Sequence, residues 1–368
     1  MIVKDIYFKN FRNYENEKFE FHDKLNIIYG NNAQGKTNVL EGIYMFSLGK
    51  SNRASKDFEM IKFGEDSAEI LMNFKSKGNE TSGEIKIQKL KKKKIFINEI
   101  PVSKNSELVG RFNVVFFGPE YLSLIREGPK KRRKNIDVMI SQLRVGYVAA
   151  LLDFKRLIEQ KNNLLKEEKI DKVFLDVLNE KIIDLSSYII KIRYEYIKKI
   201  EKIAQKIQLD ISDGKEKLEM NYISCNMNID EKIVSEIKNI LKEKSKVVFE
   251  KELRYRESIL GPHRDDIEFM INGKDLKLFG SQGQQKTAVL VQKIAEVELF
   301  REEIGEYPVL LLDDIMSELD SIRQDYVINK LQNMQIFITC TDREKFINME
   351  SGKFFKIEKG SIKECTCI

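Results

Sequence analysis

A glycine loop followed by lysine and threonine is the segment of this sequence with the clearest chemical potential. The spacing G-x-x-x-x-G-K-[ST] follows the apolar run 25–29 and is filled by Gly30, Gly35, Lys36 and Thr37. The two glycines let the backbone turn back, so that several N–H groups face one point at the positive end of the next helix. The pattern predicts a cradle for nucleotide phosphates. The alternative is a chance glycine turn before a helix.

Two side chains of this loop have expected roles beyond the backbone. Lys36, interpreted as an exposed loop charge, is expected to reach the β and γ phosphates of a bound nucleotide. The hydroxyl of Thr37 is expected to coordinate a Mg²⁺ ion that bridges those phosphates. The predicted nucleotide-binding residues are Gly30, Asn31, Asn32, Ala33, Gln34, Gly35, Lys36 and Thr37.

A second chemically informative segment is a pair of adjacent carboxylates, Asp313 and Asp314, at the end of the apolar run 308–312. An apolar run of this length is typical of a strand buried on both faces. Two carboxylates at the end of such a strand need a compensating charge, which Mg²⁺ at the phosphate loop would supply.

A second helix start that could attract an anion begins at Ser281. Ser281 is a suitable N-cap, and Gly283 leaves backbone N–H groups accessible. By itself this segment is weak evidence for a site, because many helices begin in the same way.

Alternating and apolar patterns predict the elements that must position these residues. The predicted helix after the glycine loop covers residues 37–48. A hairpin is predicted from 267–271 and 274–279 around the turn Asn272-Gly273. The other predicted strands are 2–8, 18–21, 25–29, 68–74, 83–89, 94–97, 113–117, 308–312, 336–339 and 354–357.

Residues 121–256 have a helical pattern instead. Apolar residues recur at steps of three and four over 136–158 and again over 178–207, and the two stripes predict an antiparallel helix pair. This region opens with five consecutive cations, Lys130, Lys131, Arg132, Arg133 and Lys134. Cations near a helix N-terminus oppose the helix dipole, so local stability does not explain them. Two explanations remain open: the cations bind a polyanion such as DNA, or they form an ordinary solvated surface.

Composition excludes several classes of protein. The 368-residue chain is 33% charged and 42% hydrophobic, as expected for a globular protein, and its net charge of +6 does not by itself indicate a polyanionic partner. Four cysteines without a paired framework predict free thiols in a reducing compartment. Two distant histidines do not favour a zinc site, and the lack of a long apolar run favours a soluble cytoplasmic protein. The tail 365–368 is expected to fray.

Together the motifs resemble the ATP-binding-cassette superfamily in its chromosome-maintenance branch, and most closely the RecF family. The resemblance spans the whole chain. It rests on Phe11 to Tyr14, Gly30 to Thr37, Pro119-Glu120, Gly128-Pro129, Arg132-Arg133, Gly261 to Asp266, Ser281 to Gln285, Leu312 to Asp314 and Ser317 to Asp320.

This resemblance implies an α/β fold, namely a P-loop ATPase head with a mixed β-sheet and an inserted helical lobe. The implied segments are 1–120 and 257–368 for the head and 121–256 for the lobe. The implied role is that of an ATP-dependent DNA-binding factor in recombinational repair and replication. Such a factor dimerises on ATP, acts with RecO and RecR, and helps to place RecA on gapped DNA.

The resemblance also assigns roles to individual residues. It implies that Asp313 binds Mg²⁺ and that Asp314 serves as the hydrolytic carboxylate. The other implied nucleotide contacts are the signature residues Ser281, Gly283 and Gln284, the D-loop residue Asp320, and Arg12. From spacing alone, Arg12 could equally be an ordinary loop arginine.

The sequence departs from the superfamily pattern in three places. The first two lead us to expect slow hydrolysis, and the third leaves one nucleotide contact unassigned. The hydrolytic acid is an aspartate, whereas many relatives use the longer glutamate. Thr339-Cys340-Thr341 stands where many have a switch histidine. The segment 113–120 contains no glutamine that could act as the glutamine loop of transporter ATPases.

Other functions fit the sequence less well. A transport-coupling ATPase subunit is the main alternative, but the long helical insertion with its basic start differs from the short helical subdomain of that class. A chromosome-tethering protein would need coiled-coil arms many heptads longer than these stripes. A nuclease would add an acidic metal cluster, and a small-molecule kinase has no use for the Ser281 segment.

Overall fold

The computed structural model describes residues 1–230, 232–330, 333–343, 346 and 351–367. The chain forms two compact units: unit 1 comprises Met1–Ser123 and Lys293–Ile368, and unit 2 comprises Leu124–Gln292. Compactness therefore groups residues 257–292 with the inserted unit. The division at 120 and 256 inferred from the sequence stays a prediction about functional segments.

The strands and helices occur in runs, with most strands in the first third of the chain and most helices in its middle. The strands are β1 (Ile2–Phe11), β2 (Tyr14–Glu20), β3 (Leu25–Tyr29), β4 (Ser67–Ser76), β5 (Asn79–Gln88), β6 (Lys94–Ile97), β7 (Ile100–Pro101), β8 (Val114–Phe117), β9 (Leu218–Ile223), β10 (Asp266–Ile271), β11 (Lys274–Asp275), β12 (Val309–Asp313), β13 (Ile336–Cys340), β14 (Lys353–Glu358) and β15 (Ser361–Cys367). The helices are α1 (Lys36–Leu48), α2 (Pro119–Leu122), α3 (Pro129–Leu143), α4 (Val145–Leu164), α5 (Lys172–Ile211), α6 (Val234–Tyr255), α7 (Leu276–Phe279), α8 (Gln282–Ile304) and α9 (Ser321–Lys330).

A mixed sheet in unit 1 has the strand order β15-β14-β3-β13-β12-β8. Its neighbours pair in parallel, except for the antiparallel pair β14 and β15. Every residue of β3, β12 and β13 is buried, which explains why these segments are apolar without alternation. Because parallel strands point the same way, the carboxyl ends of β3, β12 and β13 meet at one edge of the sheet.

An antiparallel sheet, also in unit 1, has the order β2-β1-β4-β5-β6-β7. Both sheets and α1 contribute to one hydrophobic core. Gly42 of α1 permits close packing against β1, since a Cβ there would lie 2.4 Å from the ring of Phe8. The predicted α/β fold class is confirmed. The core fixes α1, and with it the end of the glycine loop.

Unit 2 is built on α5, a 40-residue helix that packs against α4, α6 and β9 and also contacts α3. The first apolar stripe, expected to run over 136–158, belongs to two helices. The backbone leaves the helical conformation at Arg144, where φ is −129° and ψ is 107°. No described helix is long and apolar enough to cross a membrane.

The hairpin after residue 266 corrects the sequence interpretation. β10 and the turn at Asn272-Gly273 are present, but β11 covers only Lys274–Asp275. The chain then forms α7, because the Asp275 side chain accepts hydrogen bonds from the backbone N–H groups of Lys277 and Leu278. Helix capping by a short acidic side chain ended the strand four residues early.

The C-terminal segment is also ordered where fraying was expected. β15 pairs with β14, so that Cys365 lies opposite Phe355 and Thr366 opposite Phe354. The turn between the strands has φ of 50° at Lys359 and 74° at Gly360, which suits a tight hairpin. The prediction of a frayed tail is wrong for 365–367, and Ile368 lies outside the described residues. All four cysteines are free thiols.

Candidate nucleotide site

The glycine loop joins β3 to α1 in a conformation that only glycine can adopt at two positions. Gly30 has φ of 144° and Gly35 has φ of 114°. A Cβ on Gly30 would lie 2.4 Å from the carbonyl oxygen of Ile357, and one on Gly35 would lie 2.5 Å from the amide of Asn13. Both positions therefore combine a left-handed backbone with close packing on the outer side of the loop.

Carbonyl groups on the outer side of the loop are held by hydrogen bonds from β1–β2 residues. Asn13 Nδ2 donates to the carbonyl oxygen of Gln34 at 2.6 Å, and the Tyr14 hydroxyl donates to that of Gly35 at 3.0 Å. Asn13 Oδ1 accepts a hydrogen bond from Asn38 Nδ2 at 2.8 Å. With their carbonyls fixed outward, these peptides are pre-organised to bind an anion through their N–H groups.

The C-terminal hairpin supports the same part of the loop. The backbone N–H of Gly360 donates to the carbonyl oxygen of Gln34 at 3.1 Å, and that of Lys359 donates to Gln34 Oε1 at 2.6 Å. A Cβ on Gly360 would lie 2.2 Å from the carbonyl oxygen of Asn13. Sequence analysis missed this support, because nothing in the pattern of the tail indicates which loop it contacts.

The side chain of Lys36 is only 8% exposed, which corrects its interpretation as an exposed loop charge. Its Nζ donates to the carbonyl oxygens of Gly30 at 2.6 Å and Asn31 at 2.9 Å. Burial lowers the pKa of its ammonium group, while Asp314 and other acidic groups nearby oppose that shift. The ammonium is thus held inside the loop and surrounded by oxygen acceptors.

Thr37 and Asp313 meet at the edge where β12 ends. The Thr37 hydroxyl donates to Asp313 Oδ1 at 2.8 Å, and the Thr339 hydroxyl donates to the same oxygen at 2.7 Å. These are hard oxygen groups of the kind that Mg²⁺ prefers, so the residues fit that ion. The described residues contain no group of three or more His, Cys, Asp or Glu side chains that could hold a metal. Phosphate oxygens would therefore have to complete its coordination.

Asp314 follows in a left-handed conformation with φ of 50°, and its N–H donates to the Thr339 hydroxyl at 2.9 Å. Burial raises the pKa of its carboxyl group, against the opposing effect of Lys36. Asp314 and Thr339 line a cavity of about 260 Å³ together with loop residues 32–38 and Arg53. A carboxylate with a raised pKa in such a cavity is a stronger base than an ordinary surface aspartate.

Two arginines lie near the loop, and one of them was not singled out by the sequence analysis. Arg12 makes a two-point ion pair with the fully buried carboxylate of Glu41, at 2.9 and 2.7 Å, and donates to the carbonyl oxygen of Glu59. Its predicted contact with the nucleotide stays a prediction. Arg53, which no motif indicated, lines the cavity and lies 3.4 Å from Asn38 Oδ1. A cation in that place could contact a phosphate.

The signature residues belong to unit 2, whereas the glycine loop belongs to unit 1. The Ser281 hydroxyl accepts from the N–H of Gln284 at 3.2 Å, and Gln284 Oε1 accepts from the N–H of Ser281 at 2.9 Å. This reciprocal cap, with Gly283 in the first turn, defines the start of α8. Asp320 likewise accepts from the N–H of Arg323 at 2.9 Å in the first turn of α9.

The five-cation cluster at the start of α3 divides into buried and exposed members. Arg132 is only 4% exposed, and its guanidinium pairs with both oxygens of Asp266, at 2.7 and 2.9 Å. Its prediction as a DNA contact is therefore corrected. Arg133 is half-buried and donates to the carbonyl oxygen of Asp265, whereas the other members are exposed. These are Lys130, Lys131 and Lys134.

Comparisons of the sequence with known proteins identify a single family. The family model described as RecF/RecN/SMC N terminal domain matches residues 2–363. The DNA replication and repair protein RecF of Acetivibrio thermocellus is 41% identical over 365 residues, which cover 98% of this chain and 99% of the relative. The protein of the same name from Clostridium acetobutylicum is 41% identical over 368 residues, with 99% and 100% covered.

Solved structures agree with the sequence relatives. A recombination mediator protein RecF in complex with ATP, of the RecFOR pathway, has a TM-score of 0.89 at 36% identity, with 99% of both chains covered. The structure of RecF-ATPrS from that pathway has a TM-score of 0.92 at 37% identity, with 98% of this chain and 97% of that chain covered. An Smc head domain of Pyrococcus furiosus, 15% identical with a TM-score of 0.57, shares the fold.

The hydrogen bonds to the Gln34 carbonyl yield a test of loop organisation. In Asn13→Ala the Gln34 peptide loses a donor, so we expect ATP affinity to fall about tenfold or less, as for one hydrogen bond. Asn13→Asp, which replaces the donor by a carboxylate, should bind ATP at least as weakly. Calorimetric titration would measure both. Asn16→Ala is the matched control, because the Asn16 side chain is exposed and accepts from the Tyr7 hydroxyl. Equal affinity in all variants would contradict the role of Asn13.

Proposed function

The chain belongs to the RecF/RecN/SMC N-terminal domain family, and within it to the RecF proteins, and from this membership we propose that it is an ATP-dependent DNA-binding protein of DNA replication and repair. The observation that carries the proposal is the similarity to RecF proteins over almost the whole chain, and the hydrogen bond between Thr37 and Asp313 at the glycine loop supports its ATP-dependent part. Membership in this family disfavours the alternative of a transport-coupling ATPase subunit. Direct titration of the chain with ATP and with duplex DNA tests the proposal.

ATP is the proposed nucleotide. A RecF structure similar to this chain over almost its whole length contains ATP, and the loop that would hold the phosphates is complete here. The N–H groups of residues 30–37 would bind the phosphate oxygens, and Lys36 would exchange its carbonyl acceptors for them. Arg53 at the cavity wall would add a second positive charge.

Thr37 and Asp313 would hold Mg²⁺, with Thr339 keeping the carboxylate of Asp313 in place through its hydrogen bond. When bound, the ion would neutralise charge on the phosphates. Asp314 would accept a proton from the attacking water, a role supported by its raised pKa and its position in the cavity. An aspartate reaches less far than a glutamate, which supports slow hydrolysis.

DNA binding is proposed for the members of the cationic cluster other than the buried Arg132. Lys130, Lys131 and Arg133 remain from the sequence prediction, and exposed Lys134 lies one residue further along α3. Glu127 pairs with Lys131 at 2.6 Å, an exposed ion pair that a phosphate could replace at little cost. Contacts of this kind bind the DNA backbone without sequence preference.

ATP-dependent dimerisation would combine the two anion-binding segments. Residues 30–37 carry the lysine and threonine that retain a nucleotide, whereas the Ser281 helix start carries only N–H groups and a hydroxyl. In a two-fold dimer each Ser281 start would contact the γ-phosphate bound by the other chain. ADP lacks that group, so hydrolysis would release the dimer.

Partner proteins follow from the named relatives. The solved RecF structures are described as recombination mediators of the RecFOR pathway. As the sequence resemblance also implies, this chain would act with RecO and RecR on gapped or duplex DNA and help to place RecA.

The first test concerns hydrolysis. In Asp314→Asn the proposed base is removed while Asp313 and Thr37 are unchanged, so we expect normal ATP affinity and single-turnover hydrolysis slower by about 100-fold or more. Asp325→Asn, an exposed position on α9, makes the same chemical change away from the site and should hydrolyse ATP normally. If Asp314→Asn hydrolyses ATP as fast as the unmodified chain, Asp314 is not the base.

The second test concerns the cationic surface. Replacing Lys130, Lys131 and Arg133 by alanine should weaken binding to all duplex sequences. Removal of each cation that binds a phosphate should reduce the slope of log K against log salt by about 0.9. Binding is measured by fluorescence anisotropy at several salt concentrations. The control removes three cations from α6, Lys242, Lys244 and Lys246. An unchanged slope in the first variant assigns the cluster to solvated surface.

The third test concerns the dimer. Ser281→Arg would place a long cation where the partner's nucleotide should bind, so we expect ATP-dependent dimerisation to be lost while ATP binding by the monomer is retained. Sedimentation would measure the mass of the unmodified chain and of the variant, each with ATP and with ADP. Ser235→Arg, at the exposed start of α6, is the control. The same mass for the unmodified chain with either nucleotide would rule out the sandwich dimer.

A further inference from the structure

Two large apolar side chains lie exposed directly before the Ser281 helix start. Leu278 is 71% exposed and Phe279 is 73% exposed, and both belong to the single turn α7. We call them the 278–279 pair. Isolated exposed apolar residues are common on protein surfaces. Two adjacent ones, two and three residues before a proposed phosphate contact, need an explanation.

Helix α7 is fixed at both ends. Asp275 caps its start by accepting from the N–H groups of Lys277 at 2.7 Å and Leu278 at 3.1 Å. Leu276 is 1% exposed and attaches the turn to the interior of the chain. At the other end, a Cβ on Gly280 would lie 2.4 Å from the Leu276 side chain. The Asp275 cap and the buried Leu276 therefore hold the turn in place, with the 278–279 pair exposed.

A buried glutamine of α8 links this turn to the signature helix. Gln285 is 4% exposed, and its Nε2 donates to the carbonyl oxygens of Leu276 at 2.9 Å and Gly280 at 3.3 Å. Its Oε1 accepts from Arg126 Nε at 2.5 Å. The 278–279 pair and the start of α8 are thus parts of one rigid local structure, and whatever binds at Ser281 finds the pair in a fixed place.

Chain geometry places the pair close to anything that Ser281 contacts. Successive Cα atoms lie about 3.8 Å apart, so the Cα of Phe279 is within about 7.6 Å of that of Ser281. A protein that presents a bound phosphate to Ser281 would therefore bring its own surface within reach of Phe279. Free ATP would leave the pair exposed, because it carries no apolar surface of protein size.

We propose that the 278–279 pair is an apolar contact with a second copy of this chain, formed when the Ser281 helix start meets the nucleotide held by that copy. This inference rests on the ATP dimer proposed above. The occupant is a second copy because the adjoining contact requires a bound triphosphate, and the chain itself supplies the loop that binds one. A DNA backbone is a poor occupant, since uncharged side chains do not neutralise phosphates.

The contact would add a contribution to the free energy of dimerisation that does not depend on charge. Burial of apolar surface is insensitive to screening, whereas interactions among exposed charges weaken as salt increases. The pair is small compared with a full interface, which usually buries about 800 Å² on each partner. It would therefore strengthen a dimer already joined through ATP without holding two chains together after hydrolysis.

The test uses the full chain with Leu278→Ser and Phe279→Ser combined. Sedimentation equilibrium with a slowly hydrolysed ATP analogue should give a dimer dissociation constant at least about tenfold above that of the unmodified chain. Calorimetric titration below the dimer concentration range should give unchanged affinity for the analogue. The increase in the dimer dissociation constant should persist at high salt.

The matched control replaces Val173 and Phe174 by serine. These residues are 76% and 48% exposed at the start of α5. The opposite end of α5 is connected to the start of α8 through Glu216, which accepts from Gln208 at 2.7 Å and from Gln284 at 2.8 Å. The length of α5, about 60 Å, therefore separates the control pair from the signature. This variant should dimerise like the unmodified chain.

Each outcome has a separate meaning. If the unmodified chain stays monomeric with the analogue, the dimer of the proposed function is wrong, and this contact is wrong with it. If the unmodified chain dimerises and the Leu278→Ser, Phe279→Ser variant does so with the same dissociation constant, only the 278–279 contact is overturned. Should the double variant melt at a lower temperature, Phe279→Lys alone repeats the test, with the same weakening expected.

Discussion

Fixed peptide dipoles in one short loop are the constraint on which the rest of the site depends. A loop can bind phosphate through its N–H groups only if its carbonyl groups are turned away and satisfied elsewhere. Here the carbonyls of Gln34 and Gly35 are bound by Asn13, Tyr14 and Gly360. Those three residues come from two ends of the chain, so the N-terminal strands and the C-terminal hairpin must both be folded before the loop is complete.

Charge balance at the end of β12 is the second constraint. Two adjacent carboxylates in a partly buried site are unfavourable unless cations or donors compensate them. Thr37 and Thr339 donate to Asp313, and Lys36 acts electrostatically on Asp314. Thr339 also accepts from the N–H of Asp314, so a single hydroxyl orients both acids. The threonine that stands near the expected switch histidine therefore has a positioning role of its own.

Some cations of unit 2 form buried or partly buried ion pairs, whereas others are exposed at the surface. Arg132 is paired with Asp266, and Arg193, only 4% exposed, pairs with Asp137 at 2.9 Å and Asp265 at 3.2 Å. Arg193 and Asp265 are both buried, and removing one partner from such a pair typically costs about 3–5 kcal/mol, because the other charge is left without compensation. These pairs attach the segment 261–266 to α3 and α5, and they explain that motif without a ligand.

Features that depend on neighbours in the chain could be predicted from the amino acids alone. Buried strands appear as apolar runs, and the spacing of Gly30, Gly35, Lys36 and Thr37 identified the loop because its function is carried by consecutive residues. The folded chain was needed to show which cations are buried, that the tail pairs as β15, and that Arg53 and Thr339 line the cavity with Asp314. These features differ because ion pairs, strand pairing and cavity walls join residues far apart in the chain. Local patterns specify what a segment can form, whereas burial and partners are set by what folds against it.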